Sequence, residues 1–337
     1  MASSAPHASS SGAPPRHAYL DGWRGLAILL VLENHFFQVL PLDAGRLGVD
    51  VFFCLSGLLM SGILFLHRQP LRLFYRRRLS RILPAFLVFV LGAYAVAWFR
   101  GIGFTWQEVL ATVTFLRTYL PAEPGIWETA VPIAHLWSLN IEEHCYLVMS
   151  LLVCLPWLRG REGLAMLSMG FGCILVGLAY VRMGDGAPHW GELGTEVAAA
   201  HLFISAGYRL LRDRVANRVP PWLPVLTLAL AVACYSSALP WWARSVVSPF
   251  LLAFSVNHLA GASRWFLQAL ESRLLGTLGV WSFSIYLWQQ PFYQQKAGFW
   301  GGAVTALACS LLVAWLSYRF VEQPCRDWLN RRWAAPT

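Results

Sequence analysis

The sequence predicts an all-α polytopic membrane protein with about ten transmembrane helices, and three observations carry that prediction. Only 13% of the 337 residues are charged, about half of what a soluble globular domain carries. Apolar residues make up 57% of the chain and mean hydropathy is +0.51. The apolar residues fall into runs near the length of about 20 that a helix needs to cross a bilayer, with short polar breaks between them. A soluble enzyme, a secreted disulfide scaffold, a disordered protein and a nucleic-acid binder all fit this composition poorly.

Residues 1–17 are rich in Ala, Ser and Pro and are expected to form a disordered cytoplasmic tail. They lack the basic n-region and cleavage site of a signal peptide. Ten apolar segments follow, at about 19–40, 47–66, 82–99, 135–158, 164–182, 193–211, 222–239, 244–260, 276–295 and 299–320. A further stretch, 104–120, is short and contains Gln107, Glu108 and Arg117, which suits an interfacial or re-entrant helix. The transmembrane domain is therefore placed at 18–326, with a second cytoplasmic tail at 327–337. Ten crossings put both termini on one side.

Charge supports that arrangement. Of the 26 basic residues, 18 fall on the side assigned to the cytoplasm, six on the other, and Arg24 and Arg319 lie within spans. Basic residues in short cytoplasmic loops set topology, so the pI near 9.5 reflects membrane orientation rather than a nucleic-acid partner. The expected location is a bacterial cytoplasmic membrane. The seven cysteines lie mostly within apolar runs and form no CxxC pair, so they read as packing residues, and no metal site is expected. Oligomeric state is not encoded in any feature of the sequence.

Charged groups inside a span mark function by default. The first segment, YLDGWRGLAILLVLENHFF, carries Asp21, Arg24, Glu33 and His35. His35 lies 16 residues beyond Tyr19, about 24 Å along a helix, too far to snorkel to the cytoplasm. The fourth segment enters from HLWSLNIEEHCYL, which puts Glu142 about 10 Å below the outer face by the same rise. The ninth places Tyr286, Trp288, Gln289 and Gln290 at a comparable height. Three spans thus deliver an imidazole, a carboxylate and amides to one layer, which fits a buried reaction centre.

The stretch HRQPLRLFYRRRLSRILP reads as a cytoplasmic loop with six arginines, more than orientation requires. Arginine forks grip phosphate oxygens in pairs, so the loop suits a polyphosphate ligand such as coenzyme A, with anionic lipid headgroups as the competing partner. Asp50, near the outer end of the second span, is a candidate to contact substrate or to position His35. Ser56, Gly57 and Gly62 read as small packing residues. Arg319 and Glu322 are expected to pair at the end of the last span. Glu123 and Glu128, in PAEPGIWETAVP, face outward as candidate contacts to a polar acceptor.

Six stretches, in order, resemble the membrane-bound acyltransferase 3 family: YLDGWRGLAILLVLENH, GVDVFFCLSGLL, FYRRRLSRILP, HLWSLNIEEHCYL, SFSIYLWQQP and RFVEQPCR. Together they cover about 18–326. The resemblance implies ten transmembrane helices and transfer of an acyl group, most often acetyl, from cytoplasmic acetyl-CoA or another acyl-CoA. The implied acceptor is a hydroxyl of a cell-surface glycan or lipid-linked sugar. It implies His35 as the catalytic histidine, Glu142 as the family carboxylate, and Arg24, Arg78 and Arg81 as functional arginines, with Arg76 and Arg77 completing the expected phosphate cluster. The family pattern YLWHxP has histidine where this chain has Gln289, and glutamine donates hydrogen bonds but cannot shuttle a proton. The esterase-like outer domain that some members append is not expected.

On this reading His35, oriented by Glu142 or Glu33, takes the acceptor proton. Gln289 or a backbone amide steadies the oxyanion, with Tyr286 and Asp50 as further candidates on the substrate side, and an acyl-histidine intermediate is the alternative route. Acylation of a small molecule such as a macrolide, or a transporter or flippase of a glycan intermediate, would share the spans and the buried polar groups.

Overall fold

The structure, a computed structural model, describes residues 18–212 and 218–334. Its regular structure is helical, and one isolated antiparallel bridge joins Leu42 to Ser236. The helices are α1 (Ala18–Phe36), α2 (Ala44–Ser61), α3 (Leu71–Phe99), α4 (Trp106–Val113), α5 (Trp137–Val153), α6 (Glu162–Met183), α7 (Thr195–Ala198) and α8 (Ala200–Leu211). They continue with α9 (Leu223–Ala233), α10 (Ser248–Asn257), α11 (Arg264–Leu270), α12 (Arg273–Gln294), α13 (Gly302–Ser317) and α14 (Gln323–Ala334). A π-helical turn, Gly62–Leu66, extends α2, and another, Tyr318–Glu322, joins α13 to α14.

Local chemistry sets several of these ends. Asp43 caps α2 by accepting from the Arg46 amide, and Ser272 caps α12 by accepting from Leu275. Thr105 and Glu108 form a reciprocal capping box on α4. That helix has eight residues, about 12 Å, so the 104–120 stretch does not cross a bilayer core of about 30 Å.

Every apolar segment holds a helix, but the bounds shift in instructive places. The arginine stretch expected as a loop is the first third of α3, which starts at Leu71 behind Pro70. Arginine and leucine are good helix formers, and Phe74 and Ile82 are buried from that end of the helix while Arg72, Leu73 and Arg77 stay exposed. The expected 327–337 tail is likewise helical through Ala334, as the last turns of α14. Ser80 donates to Asn330 there, and Arg76 donates to the Trp333 carbonyl. Residues 1–17 and 335–337 lie outside the described residues.

Four helical stretches are long and apolar enough to cross a membrane by length and composition: Ala44–Leu66, Leu71–Phe99, Glu162–Gly186 and Gly302–Trp333. The others fall short for physical reasons. α1 carries Asp21, Arg24 and Glu33, α5 has 17 residues, the 193–211 segment breaks between α7 and α8, and α9 has 11 residues. Large side chains such as Leu91, Trp98, Leu151, Leu175 and Leu312 are exposed on the outer helix faces. That is a surface suited to hydrocarbon rather than water.

The packing that positions the site is the crossing of α1 with α12. A Cβ at Gly279 would stand 1.7 Å from the Asp21 carbonyl oxygen, and one at Gly25 would stand 2.1 Å from that of Leu275. Only glycine lets these backbones approach so closely. Gly57 does the same for α2 against Leu202 of α8, as expected, whereas Gly62 faces open space.

Candidate active site

His35 stands one residue before the end of α1, where Lys296 caps the helix by donating to the His35 and Phe36 carbonyls at 2.8 and 3.2 Å. Its ring stacks on Tyr293 of α12, with centroids 4.3 Å apart and planes 19° apart. Its Nδ1 lies 2.6 Å from Gln289 Oε1. An amide oxygen only accepts, so this pairing selects the Nδ1–H tautomer and leaves the Nε2 lone pair for chemistry. His35 lines a cavity of about 1200 Å³, measured to its open mouth, together with Asn34, Asp43, Arg46, His135, Tyr286, Gln290 and Tyr293. Trp127, Trp137, His189, Trp190 and Glu192 complete its walls.

A second cavity, of about 840 Å³ to its mouth, opens beside the other half of α1. Its walls are mostly apolar, including Phe52, Phe53, Leu59, Met60 and Phe283, and its polar groups include Arg24, Ser56, Arg78, Arg81, Ser138, Glu142 and Tyr146. Arg78 is fully engaged: it pairs with Glu143 at 2.6 Å and Glu142 at 3.5 Å, and its guanidinium lies 3.5 Å from the centroid of the Tyr146 ring. Glu142 also accepts from Ser56 and, at 3.2 Å, from the Tyr146 hydroxyl. Among the described residues, Arg24 and Arg81 make no hydrogen bond or close ion pair. Arg81 has Arg24, Arg78 and Arg326 as charged neighbours, with Glu322 the nearby carboxylate. That excess of positive charge beside an apolar cavity suits an anionic ligand with a lipophilic arm.

The two cavities adjoin. Val49 and Tyr286 line both, and Arg24 and His35 are separated by eleven residues of α1, about 16 Å along its axis. The Tyr286 hydroxyl donates to the His135 carbonyl at 2.6 Å and lies 2.6 Å from Ser138 Oγ, so its proton is committed. Tyr286 is a partition between the chambers rather than a free oxyanion donor.

The structure redistributes several other expected roles. His35 is oriented by Gln289, not by Glu142, which belongs to the arginine chamber, nor by Glu33, which accepts from the Val39 and Leu40 amides and closes the end of α1. Gln289 spends its oxygen on His35 and lines neither chamber, and its Nε2 is buried without a hydrogen-bond partner among the described residues. Arg76 and Arg77 turn away from the cavity, toward the Trp333 carbonyl and Gln69 Oε1 respectively. Asp50 is fully buried in a separate cluster, 3.1 Å from Arg46 Nε, 3.5 Å from His201 Nδ1 and 2.8 Å from the Tyr235 hydroxyl, and does not reach His35. Arg319 is exposed, and Glu322 instead accepts from Ser284 at 2.8 Å and faces Arg326 at 3.9 Å. Between Glu123 and Glu128, neither of which lines the chamber, Trp127 does.

Sequence reasoning missed Ser56, Ser138, Glu143, Tyr146 and His135 as site residues. Glu143 and His135 had a visible signal, since both sit in the HLWSLNIEEH run beside residues that were singled out.

A family model described as an acyltransferase domain matches residues 17–319. The chain belongs to this acyltransferase family. The chain is 27% identical to a peptidoglycan O-acetyltransferase of Listeria monocytogenes over 91% of its own length and 55% of the relative's. It is 28% identical to a putative peptidoglycan O-acetyltransferase of Bacillus subtilis (91% and 54%) and 25% identical to a putative O-acetyltransferase of Staphylococcus aureus (91% and 57%). The chain thus spans about half the length of the curated relatives it matches. No solved structure matches it.

Proposed function

We propose that the protein is a ten-span acyltransferase of the cytoplasmic membrane that moves an acetyl group from cytoplasmic acetyl-CoA to a hydroxyl of a cell-wall glycan. The observation that carries this reading is the pair of adjoining chambers, one with the uncommitted Arg24 and Arg81, the other with His35. In this reading the α1 end bearing Arg24 faces the cytoplasm, as the distribution of basic residues favours. The phosphates of CoA lie against Arg24 and Arg81, and the pantetheine arm runs along the apolar wall toward Tyr286. The glycan enters the other chamber, where Trp127, Trp137 and Trp190 offer flat faces and Asp43 and Glu192 offer acceptors for hydroxyls. The names of the relatives favour peptidoglycan as the glycan.

The chemistry follows from the tautomer. His35 Nε2 takes the proton of the acceptor hydroxyl as its oxygen attacks the thioester carbonyl carbon. Gln289, accepting from Nδ1–H, holds the ring in orientation as it becomes imidazolium. Collapse of the tetrahedral intermediate breaks the C–S bond, and the CoA thiolate takes the proton back from His35.

The test is transfer of radiolabelled acetyl from acetyl-CoA to a soluble peptidoglycan fragment by purified protein in proteoliposomes. Label is expected in the fragment with stoichiometric release of CoA, and His35→Ala should abolish both. Full transfer by His35→Ala, or glycan movement with no CoA released, overturns the reading.

A further inference from the structure

A groove between α3 and α12, about 910 Å³ to its open mouth, takes no part in the proposed reaction. One wall is a face of α3, where Phe89, Gly92, Val96 and Arg100 recur at three- and four-residue spacing. The other is a face of α12, where Trp288, Phe292 and Gln295 do the same. The floor is open at Gly92, where an added Cβ would meet nothing within 4 Å. Leu91 and Val96, on this stretch of α3, are exposed, as a surface turned to hydrocarbon would be.

The polarity of the groove is graded along its length. From Phe89 to Arg100 it follows eleven residues of α3, about 16 Å. That is close to half of a hydrocarbon core of about 30 Å, the depth of one leaflet. The inner part is aromatic and aliphatic, and the far end carries Arg100, Gln294 and Gln295. Arg100 alone among the lining residues is charged, and among the described residues its side chain makes no hydrogen bond or ion pair. Trp98 and Trp300, next to this end in sequence, are largely exposed, and indoles of this kind settle at the headgroup level of a bilayer.

We propose that this groove binds one anionic glycerophospholipid of the outer leaflet, with an acyl chain between α3 and α12 and the headgroup phosphate on Arg100. The leaflet follows from the orientation adopted under Proposed function, whereas the match of chain and phosphate to the groove holds for either orientation. The guanidinium fork suits a phosphate diester, and the two glutamine amides suit headgroup hydroxyls such as those of phosphatidylglycerol. No carboxylate lines the groove among the described residues, so the ammonium of an ethanolamine headgroup would sit near Arg100 without a counter-charge. The bound chain lies against Phe89 and Trp288, whose rings meet edge-on 5.3 Å apart. Phe89 in turn packs on the His135 ring, 5.4 Å away, so the lipid backs the wall of the His35 chamber from outside.

The experiment incubates the chain in detergent with phosphatidylglycerol or phosphatidylethanolamine of identical acyl chains and counts the lipid retained per protein by native mass spectrometry. No acyl donor or glycan is present, so a failure of the acyl-transfer reading leaves the result unaffected. Wild-type protein is expected to retain phosphatidylglycerol about fivefold better, the worth of one basic side chain at an anionic headgroup. Arg100→Gln should bring that ratio close to unity. Arg182→Gln, at an exposed arginine outside the groove, should leave it unchanged. Gly92→Leu fills the floor and should lower retention of both lipids about threefold, because the chain loses its van der Waals contacts there. Equal retention of the two lipids by wild-type protein, an unchanged ratio in Arg100→Gln, or full retention in Gly92→Leu would each overturn the inference. An equal fall of the ratio in Arg182→Gln and Arg100→Gln would assign the preference to general surface charge and overturn it too.

Discussion

His35 Nδ1 and Gln289 Oε1 lie 2.6 Å apart across the α1–α12 crossing, joining residues 254 positions apart in the chain. That contact decides which nitrogen of His35 is free, and it puts an uncharged acceptor where the family pattern has a second histidine. Replacing the amide should therefore change both rate and pH dependence. Gln289→Met is expected to lower kcat by about 10- to 100-fold, short of the roughly 10²–10⁴-fold attributable to the base itself. Gln289→Glu adds a carboxylate that stabilises the imidazolium and raises its pKa. The base form then survives only at higher pH, so the acid limb of the kcat/KM profile should move upward. An acid limb that stays in place would show that Gln289 does not contact the working base.

The Arg24 chamber separates the arginines into classes. Among the described residues Arg24 and Arg81 make no hydrogen bond or close ion pair, so losing either should raise the acetyl-CoA KM with little effect on folding. A charge-assisted contact of about 1.5–3 kcal/mol corresponds to a rise of roughly 10- to 150-fold. Lysine should restore little, since the bidentate fork is lost. Arg76→Ala and Arg77→Ala should leave that KM within about twofold, because their side chains point to Trp333 and Gln69. Initial-rate kinetics over a range of acetyl-CoA distinguish these outcomes.

Arg78 behaves differently from what its place in the arginine cluster suggests. Removing it leaves Glu142 and Glu143, whose side chains are 21% and 19% exposed, side by side with no counter-ion. Arg78→Ala should therefore act first on stability, by about 3 kcal/mol, the low end for a broken buried pair because the site opens to a cavity. Thermal melting of purified protein in detergent measures it. A melting temperature equal to wild type, with donor KM alone raised, would place Arg78 with Arg24 and Arg81.

The contrast among these arginines shows what was legible in the sequence. Apolar runs announced the helices, and the motif stretches announced His35, Arg24, Arg81 and Glu142. Side-chain partnerships were not legible, because they depend on the rotation of each helix about its axis. A one-residue rotation of about 100° would turn Arg77 inward and Arg78 outward. The Gln289 contact was hidden for the same reason, and Asp50 looked free because its partners His201 and Tyr235 come from distant segments. The arginine stretch read as a loop because charge masks helical propensity when no partner is known. In the fold Arg78 and Arg81 line one chamber and Arg76 the flank of α14.

Two glycines of α12 give a test of the packing itself. Gly279→Ala would drive a methyl to 1.7 Å from the Asp21 carbonyl oxygen, so α1 and α12 must separate. Overpacking of this kind costs about 1–3 kcal/mol, and the shift would also pull Gln289 from His35, so melting temperature and kcat should fall together. Gly276, one turn away, faces open space. Gly276→Ala should be neutral or stabilising by up to about 1 kcal/mol. If both variants melt alike, the close approach does not limit stability.

The His35 chamber has its own positioning device. Trp190, one of its walls, donates Nε1–H to Glu196 Oε1 at 2.5 Å, and the same carboxylate accepts from the hydroxyls of Tyr180 at 3.0 Å and Tyr119 at 2.8 Å. The Tyr119 hydroxyl also takes a hydrogen bond from the Thr195 amide at 2.7 Å, and burial pushes this phenol up to about 12, so it stays a donor throughout the working pH range. Glu196 thus locks an indole whose face would meet a sugar ring, without touching that sugar. Glu196→Leu frees the indole and leaves the Arg24 chamber, built from other residues, unchanged. The loss of a hydrogen bond to a charged group, about 1.5–3 kcal/mol, sets the upper bound on the effect. The acceptor KM should rise about tenfold while the acetyl-CoA KM stays within twofold, and Glu196→Gln, which keeps one acceptor oxygen, should recover part of the difference. Trp190→Phe should match Glu196→Leu if both act through the indole. An acceptor KM that moves in Trp190→Phe but not in Glu196→Leu would mean that the indole holds its place without the carboxylate.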